Sequence, residues 1–333
     1  MATIRDVAKL AGVSFKTVSR VINNDPYVST ETLAKVKRVI EELGYRPNIN
    51  ARGLAVNRTF LIGLVIPEIT SAAYAMMIHG VEEVSSSQDY RLVLCSTRHS
   101  RKKEASLFES LAAARRVDGI LFFSNHIDTS YITRMKEFDM PFVVIDRDVE
   151  DEAIPCVYTN NRDGVHRTTS HLISTGRSRI AYITPVIDTC TTVERLEGYE
   201  RAMRDHGLDY QGRTIVDHTG DRSKGFMAMN QLLARADRPD GVVAFNDLLA
   251  IGAMQAIKEH GLRVPEDIAV VGFDDIEAAS LVEPALTTVR QPLDEIGQVA
   301  CKMLLQLINN EDLPIRKAVF DPILVVRESC GGK

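Results

Sequence analysis

Lys16 and Arg20 stand one helical turn apart, with Phe15 beside them, in the run from Ser14 to Ile22. On a helix they occupy the side roughly opposite Val18, Val21 and Ile22. All three are base-reading types. Arginine bonds guanine bidentately, lysine reaches guanine acceptors, and phenylalanine touches the thymine methyl. A second set of polar residues follows short apolar runs: Pro67–Tyr74, Ser124–Asn125, Asp146–Arg147, Asn246–Asp247 and Asp274–Asp275. Past the end of a strand such residues either cap a helix or line a ligand cleft, and for any one of them both readings stand. Their recurrence after five runs favours a lined cleft.

Catalytic motifs do not accompany these residues. The sequence has no G-x-G-x-x-G, Walker A, H-E-x-x-H or G-x-S-x-G pattern, and its eight histidines form no obvious metal cluster. Asp274 and Asp275 are adjacent on a strand-end loop, where neighbouring side chains diverge rather than form an acid–base pair. The five cysteines, Cys95, Cys156, Cys190, Cys301 and Cys330, are scattered and never in C-x-x-C. They read as free thiols of a reducing compartment. The expectation is a chain that is not an enzyme, with no catalytic residue, no metal site and no cofactor.

The elements that must position Phe15, Lys16 and Arg20 are legible. Thr3 and Asp6 make a capping box for a helix whose apolar face is Ile4, Val7, Ala8 and Ala11. Gly12 breaks it, and Ser14 caps a second helix running to Ile22. Two short helices about a glycine turn form a helix-turn-helix, whose second helix fits the major groove. Ser29 caps a third helix, with Val28 and Leu33 as a hydrophobic staple, Leu33, Val36, Ile40 and Leu43 as its buried stripe, and Gly44 at its end. A three-helix bundle that merely exposes a basic face fits the same pattern. After Pro47, Asn48 can cap a helix of about two turns in which Ala51, Leu54 and Ala55 share a face, too short to stand alone in water. Charge is divided accordingly. Up to Thr59, ten cations face five anions, a net +5 against −5 for the whole chain, which leaves −10 for the rest. A basic head on an acidic body suits phosphate binding confined to the head.

From Phe60 onward, short β-rich apolar runs alternate with amphipathic helical stretches. Strands are expected at Leu61–Ile66, Leu92–Cys95, Gly119–Phe123, Phe142–Ile145, Ile180–Ile183, Gly241–Phe245, Ile268–Val271 and Thr287–Val289. Helices are expected at Met76–Ser86, Glu104–Ala114, Gly164–Ser174, Glu194–His206, Leu248–His260 and Glu295–Ile308. This is an α/β pattern of doubly wound parallel sheets, and so many strands predict two sheets. Ligands in such folds bind beyond the C-terminal strand ends. No apolar run approaches the roughly twenty residues that span a bilayer. Arg5, Asp6 and Lys9 interrupt the start, so no signal peptide is expected and a cytoplasmic, nucleoid-associated location is.

The stretch I-R-D-V-A-K-L-A-G-V-S-F-K-T-V-S-R-V-I-N from Ile4, then L-G-Y-R-P-N from Leu43 and A-R-G-L-A from Ala51, resembles the head of the LacI/GalR family of bacterial repressors. The body resembles that family's periplasmic-binding-protein-like core in R-L-E-G-Y from Arg195, N-D-L-L-A-I-G-A from Asn246, V-P-E-D-I-A-V-V-G-F-D-D from Val264 and P-A-L-T-T-V-R-Q-P from Pro284. The resemblance implies a helix-turn-helix head over 1–46, a hinge helix and linker over 47–59, and an effector-binding and dimerisation core over 60–333. Within that core an N-subdomain covers about 60–159 and 291–320, and a C-subdomain about 160–290 and 321–330. By the same resemblance Phe15, Lys16 and Arg20 read bases and Ser14, Thr17 and Ser19 touch phosphates. Asn48, Ala51 and Leu54 belong to a hinge that orders on DNA beside its partner subunit's, Leu54 wedging into the minor groove. Tyr74, Asp146, Arg195, Asn246 and Asp274 fall on effector-contact positions.

Two departures bear on the effector. Ser71-Ala72-Ala73-Tyr74 replaces the bulkier N-P-F-Y or N-P-F-F of many members, and Gly220-Asp221-Arg222-Ser223 puts Arg222 where an aromatic often stacks on a sugar. Guanidinium favours phosphate or carboxylate. The expectation is a homodimeric repressor of near-palindromic double-stranded operator DNA, with no membrane partner. Its small-molecule effector, a sugar or sugar derivative and in one reading anionic, binds between the two core subdomains.

Overall fold

The computed structural model describes residues 2–22, 25–45, 57–124, 126, 130–186, 188–217 and 220–332. Asn48, Ala51 and Leu54 lie outside the described residues, as does Asn125. The chain divides into two compact units, Met1–Phe60 and Leu61–Lys333.

The first unit contains α1 (Ile4–Ala11), α2 (Phe15–Ile22) and α3 (Thr30–Glu42). Thr3 and Asp6 close the capping box at the start of α1, where the Asp6 carboxylate accepts from the Thr3 N–H at 2.8 Å. Gly12 ends that helix at φ +61°, a left-handed conformation that costs a glycine little. Ser14 Oγ then accepts from the Thr17 N–H at 3.1 Å and starts α2. The three helices bury Val7, Ala8, Ala11, Val18, Val21, Val36 and Val39 together, a core of small side chains.

The second unit is built on two parallel sheets. The first runs β11-β5-β4-β3-β1-β2, with β1 Leu61–Ile66, β2 Arg91–Ser96, β3 Gly119–Phe123, β4 Phe142–Ile145, β5 Cys156–Thr159 and β11 Lys317–Phe320. The second runs β7-β6-β8-β9, with β6 Ile180–Pro185, β7 Thr214–Asp217, β8 Gly241–Ala244 and β9 Ala269–Val271. β10 (Thr288–Arg290) and β12 (Ile323–Val325) pair antiparallel. The chain therefore leaves the first sheet after β5, builds the second, and returns to the first with β11. Sequence periodicity had not marked β5, β7, β11 or β12. β5, β7 and β11 each place a polar residue at one or both ends of only four positions, unlike the equally short but uniformly apolar β4 and β8.

Helices cover the sheets in closely crossing pairs. Where Ala72–Ser87 meets Leu293–Ile308, a Cβ on Gly80 would lie 2.0 Å from the Asp294 carbonyl oxygen. Where Arg222–Leu233 meets Asp247–Glu259, a Cβ on Gly252 would lie 2.0 Å from the Arg222 carbonyl oxygen. These contacts fix the direction in which each helix leaves its strand.

Candidate functional site

In the head, Phe15, Lys16 and Arg20 share the exposed side of α2 while Val18 and Val21 are buried beneath them. Phe15 is 57% exposed and takes no part in the head's core. Ser14 and Thr17 bond each other at the N-terminus of α2, their hydroxyl oxygens 3.0 Å apart, and Ser19 is half-buried. The Ser14 side chain and carbonyl also take the Thr17 and Val18 N–H groups, which fixes this end of α2.

In the body, parallel strands deliver their carboxyl ends to one region, and Arg195 is its hub. The helix Cys190–Asp205 begins with a Thr189–Thr192 capping box and carries Arg195 inward, 4% exposed. Its Nε donates to Asn161 Oδ1 at 2.9 Å, Nη1 to the Phe245 carbonyl at 2.5 Å, and Nη2 to Asp274 Oδ1 at 3.4 Å. The guanidinium also lies 3.7 Å from the Phe273 ring centroid and 4.5 Å from that of Phe245. Every edge of this cation is thus held by charge-assisted bonds or an aromatic face.

Asp146 and Asp274 complete the centre from the two sheets. Asp274 accepts from Gln291 Nε2 at 2.8 Å, and Asp146 Oδ2 from Thr191 Oγ1 at 3.4 Å. Both adopt left-handed backbone, φ +69° at Asp146 and +109° at Asp274. Non-glycine residues in such conformations cost roughly 1–3 kcal/mol each and cluster at ligand sites. Burial pushes the Asp146 carboxyl up to about 7 against the pull of Arg195. Glu194 and Asp274 are also raised by burial. Asp275, by contrast, is tied to Arg290 and Arg327, each at 2.6 Å, so the adjacent aspartates diverge.

Beside this centre lies a second polar cluster, in which the strand-end residues Ser124 and Arg147 meet Glu104, His126 and Tyr131, three residues the sequence reading did not single out. Glu104, 3% exposed, accepts from the Tyr131 hydroxyl, which in turn bonds Ser124, and it lies 3.2 Å from His126 Nε2. Arg147, 5% exposed, donates from Nη1 to the His126 carbonyl at 2.7 Å. The peptide at His126 bridges to Thr189, so the cluster links the two sheet systems. Burial pushes Glu104 up to about 7 and His126 down. In sequence Glu104 sits in Ser100-Arg101-Lys102-Lys103-Glu104, which reads as an ordinary solvated helix start. Nothing local marks it as buried.

The remaining expected residues are placed differently. Tyr74 packs edge-on against Phe123, ring centroids 5.4 Å apart. Asn246 caps its helix, Oδ1 accepting from the Leu249 N–H at 2.9 Å, while Nδ2 donates to the Gly220 carbonyl at 3.0 Å. It caps that helix beside the Phe245 carbonyl that Arg195 holds. Arg222 is exposed, and its Nη1 donates to Gln255 Oε1 at 3.2 Å. The two helices approach closely at Gly252, where a Cβ would meet the Arg222 carbonyl oxygen.

Among the described residues no group of three or more His, Cys, Asp or Glu can hold a metal, and no helix is long and apolar enough to cross a membrane. Comparison with known proteins gives a coherent picture. Residues 3–48 match the model of bacterial regulatory proteins of the lacI family, and residues 169–330 that of the periplasmic binding protein-like domain. The ribose operon repressor of Escherichia coli (strain K12) is 39% identical over 331 residues, 99% of this chain and 100% of that protein. The transcriptional repressor PurR of Vibrio atlanticus (strain LGP32) is 36% identical, over 99% and 98%. Among solved structures, the lac repressor dimer bound to operator and the anti-inducer ONPF superimposes with a TM-score of 0.88 at 28% identity, covering 99% of both chains. The complex of the transcriptional regulator CelR with cellobiose gives 0.74 at 36% identity, covering 99% of this chain and 100% of that one. The exposed face of α2 and the buried polar centre at Arg195 thus sit in a chain that belongs to the lacI family of bacterial regulatory proteins, DNA-binding repressors rather than enzymes.

Proposed function

We propose that the protein is a homodimeric cytoplasmic repressor, associated with the nucleoid, that binds a near-palindromic operator and answers to a small neutral, hydroxyl-rich effector. The head, residues 1–46, reads the major groove with Phe15, Lys16 and Arg20, while Ser14, Thr17 and Ser19 meet phosphates. Residues 47–59 form the hinge, in which Asn48, Ala51 and Leu54 address the minor groove at the operator centre. The core, 60–333, takes the effector between its two sheet systems at Tyr74, Asp146, Arg195, Asn246 and Asp274. Two-fold symmetry of the dimer matches the two half-sites.

The observation that carries the effector class is the state of the buried charges. Both buried arginines, Arg147 and Arg195, are already committed to protein acceptors. Asp146 and Glu194 stay raised by burial in spite of those cations. Carboxyl groups held toward the neutral form exchange hydrogen bonds with hydroxyl groups, and with both arginines engaged no buried cation is left to pair with an added anion. An anionic effector requires Arg222 to leave Gln255 and enter the cleft. Calorimetry of the purified dimer with ribose, cellobiose and their phosphorylated or acidic counterparts tests this. Preferential binding of a phosphorylated or carboxylated sugar overturns the neutral reading. Operator release or tightening across the same panel, read by fluorescence anisotropy, gives the sign of the coupling.

The minor-groove role of Leu54 has its own test. Leu54→Ala should weaken operator binding far more than binding to a scrambled duplex, because a wedge acts only at the kinked centre. Equal loss on both duplexes removes Leu54 from the reading.

A further inference from the structure

Arg20 projects from the reading face of α2 with 65% of its side chain exposed, yet it is not unrestrained. Asp25 Oδ2 lies 3.6 Å from Arg20 Nε. Asp25 is itself fixed at two points: its N–H donates to the Arg20 carbonyl at 2.9 Å, and its Oδ1 accepts from the Tyr27 N–H at 2.9 Å. One residue therefore takes both the backbone carbonyl and the Nε edge of the same arginine.

Stability does not explain this pair. Exposed ion pairs contribute roughly 0–1 kcal/mol. A carboxylate beside a DNA-facing arginine also repels phosphate, so for binding alone it is a handicap. What it can supply is orientation. An arginine side chain carries about 2 kcal/mol of rotamer entropy, part of which is lost when it docks. Holding it in advance by Nε lowers that loss and leaves the two terminal nitrogens free. Those nitrogens form the fork that matches guanine O6 and N7. The same restraint keeps the guanidinium from turning to a neighbouring phosphate.

We infer that Asp25 is a positioning residue for base recognition, holding Arg20 by its Nε edge so that its terminal nitrogens meet a guanine. This rests on the major-groove role proposed for Arg20. Simple electrostatics predicts the opposite outcome for removal of Asp25, which makes the two explanations separable: loss of a repelling charge strengthens binding to every DNA, whereas loss of a positioning contact weakens binding only where Arg20 reads a base.

The test uses the full chain and a duplex that the unmodified protein selects from a randomised pool, with a scrambled duplex of equal composition as the control. Affinities of Asp25→Ala, Asp25→Asn, Arg20→Ala and the Asp25→Ala/Arg20→Ala pair are measured at one fixed salt concentration. A third duplex carries 7-deazaguanine in place of the guanine whose contact Arg20→Ala abolishes. Asp25→Ala is expected to lose roughly fivefold on the selected duplex while holding or gaining on the scrambled one. The penalty for 7-deazaguanine should shrink in the same variant, and the double variant should show no loss beyond Arg20→Ala. Asp25→Asn should fall between, since it keeps an acceptor without the charge. An equal gain on both duplexes reduces Asp25 to a repelling charge and overturns the inference, and so does an equal loss on both with a lowered melting temperature. Selection that survives Arg20→Ala overturns the base-reading role of Arg20 itself, and the inference with it.

Discussion

Arg195 and Asp274 meet at 3.4 Å, the guanidinium side chain 4% exposed and the carboxylate 13%. Each is also held by other groups: Arg195 by Asn161 and the Phe245 carbonyl, Asp274 by Gln291. The pair thus joins the helix Cys190–Asp205 to the ends of two strands and to the segment leading into Leu293–Ile308. At the proposed effector site these bonds fix the directions of the polar groups in advance of any ligand.

Arg195→Lys tests that arrangement. Lysine keeps the charge but cannot satisfy three acceptors in one plane. Effector affinity should fall roughly 30- to 1000-fold, the 2–4 kcal/mol typical of breaking a desolvated, hydrogen-bonded charge pair. Operator affinity without effector should stay within about twofold, because the head folds its own core. Calorimetry for the effector and anisotropy for DNA give the two readouts, and matched losses in both would place Arg195 in the general scaffold instead.

Asp247 makes a prediction about pH. It is fully buried, its carboxylate accepting from Thr288 Oγ1 at 2.5 Å and from the Ile276 N–H at 2.9 Å. Burial, with the nearby Asp274 charge, pushes it up to about 8. The folded pKa lies above the ordinary aspartate value of 3.8, so folding favours the protonated form. Stability from this group is complete below that value and is lost as pH rises toward 8. Glu104 and Asp146, both near 7, act in the same direction. Stability of the body to urea should therefore fall from about pH 5 to pH 7, more gently from pH 7 to pH 8, and level off above that. Asp247→Asn, which has an oxygen for the Ile276 N–H and an amide for Thr288, should flatten that slope; an unchanged slope removes Asp247 from the account.

The helix crossing at Gly80 predicts a steric defect. A Cβ there would sit 2.0 Å from the Asp294 carbonyl oxygen, a backbone atom that cannot rotate aside. Gly80→Ala should destabilise the body by about 1–3 kcal/mol, as overpacking does. Gly176→Ala is the contrasting control, since no atom lies within 4 Å of its Cβ but its φ is +91°. Its cost should come only from that backbone conformation, about 1 kcal/mol. Equal denaturant midpoints for the two variants would mean the helices separate freely.

The reading face of α2 was legible because a helix of eight residues with Val18 and Val21 inside leaves few places for Lys16 and Arg20. The longer strands and helices were legible for the same reason: their periods are sustained. Arg195, Asp146 and Asp274 were placed by motif resemblance, and the structure brings them together. The contact of Arg222 with Gln255 runs between two helices that meet at Gly252, and a four-residue motif carries no information on that crossing. Glu104 and Asp25 escaped notice for a shared reason. Each gains its meaning from a partner whose approach depends on tertiary packing or on a turn, His126 and Arg20 respectively, and neither approach is encoded in local spacing.

The head's core suggests how its stability serves its function. Among the described residues valine and alanine supply its buried side chains, with Leu33, Ile40, Leu43 and Tyr45 only partly buried against them, and a unit of 60 residues gains little from so small a core. The body, with Phe108, Phe122, Tyr182, Tyr199 and Phe273 fully buried, has far more apolar area out of water. Two separate unfolding transitions are therefore expected, the head melting first. A ligand that binds only the folded head raises its stability by RT ln(1 + [L]/Kd), about 2.7 kcal/mol at a hundredfold excess over Kd. Adding the selected operator should move the first transition upward and leave the second nearly still, while a cleft ligand should do the reverse. Val36→Ala should lower only the first, by about 1–2 kcal/mol, at the small end of core truncations. Differential scanning calorimetry resolves the two, and a single transition that moves as one with either ligand would show that head and body unfold cooperatively.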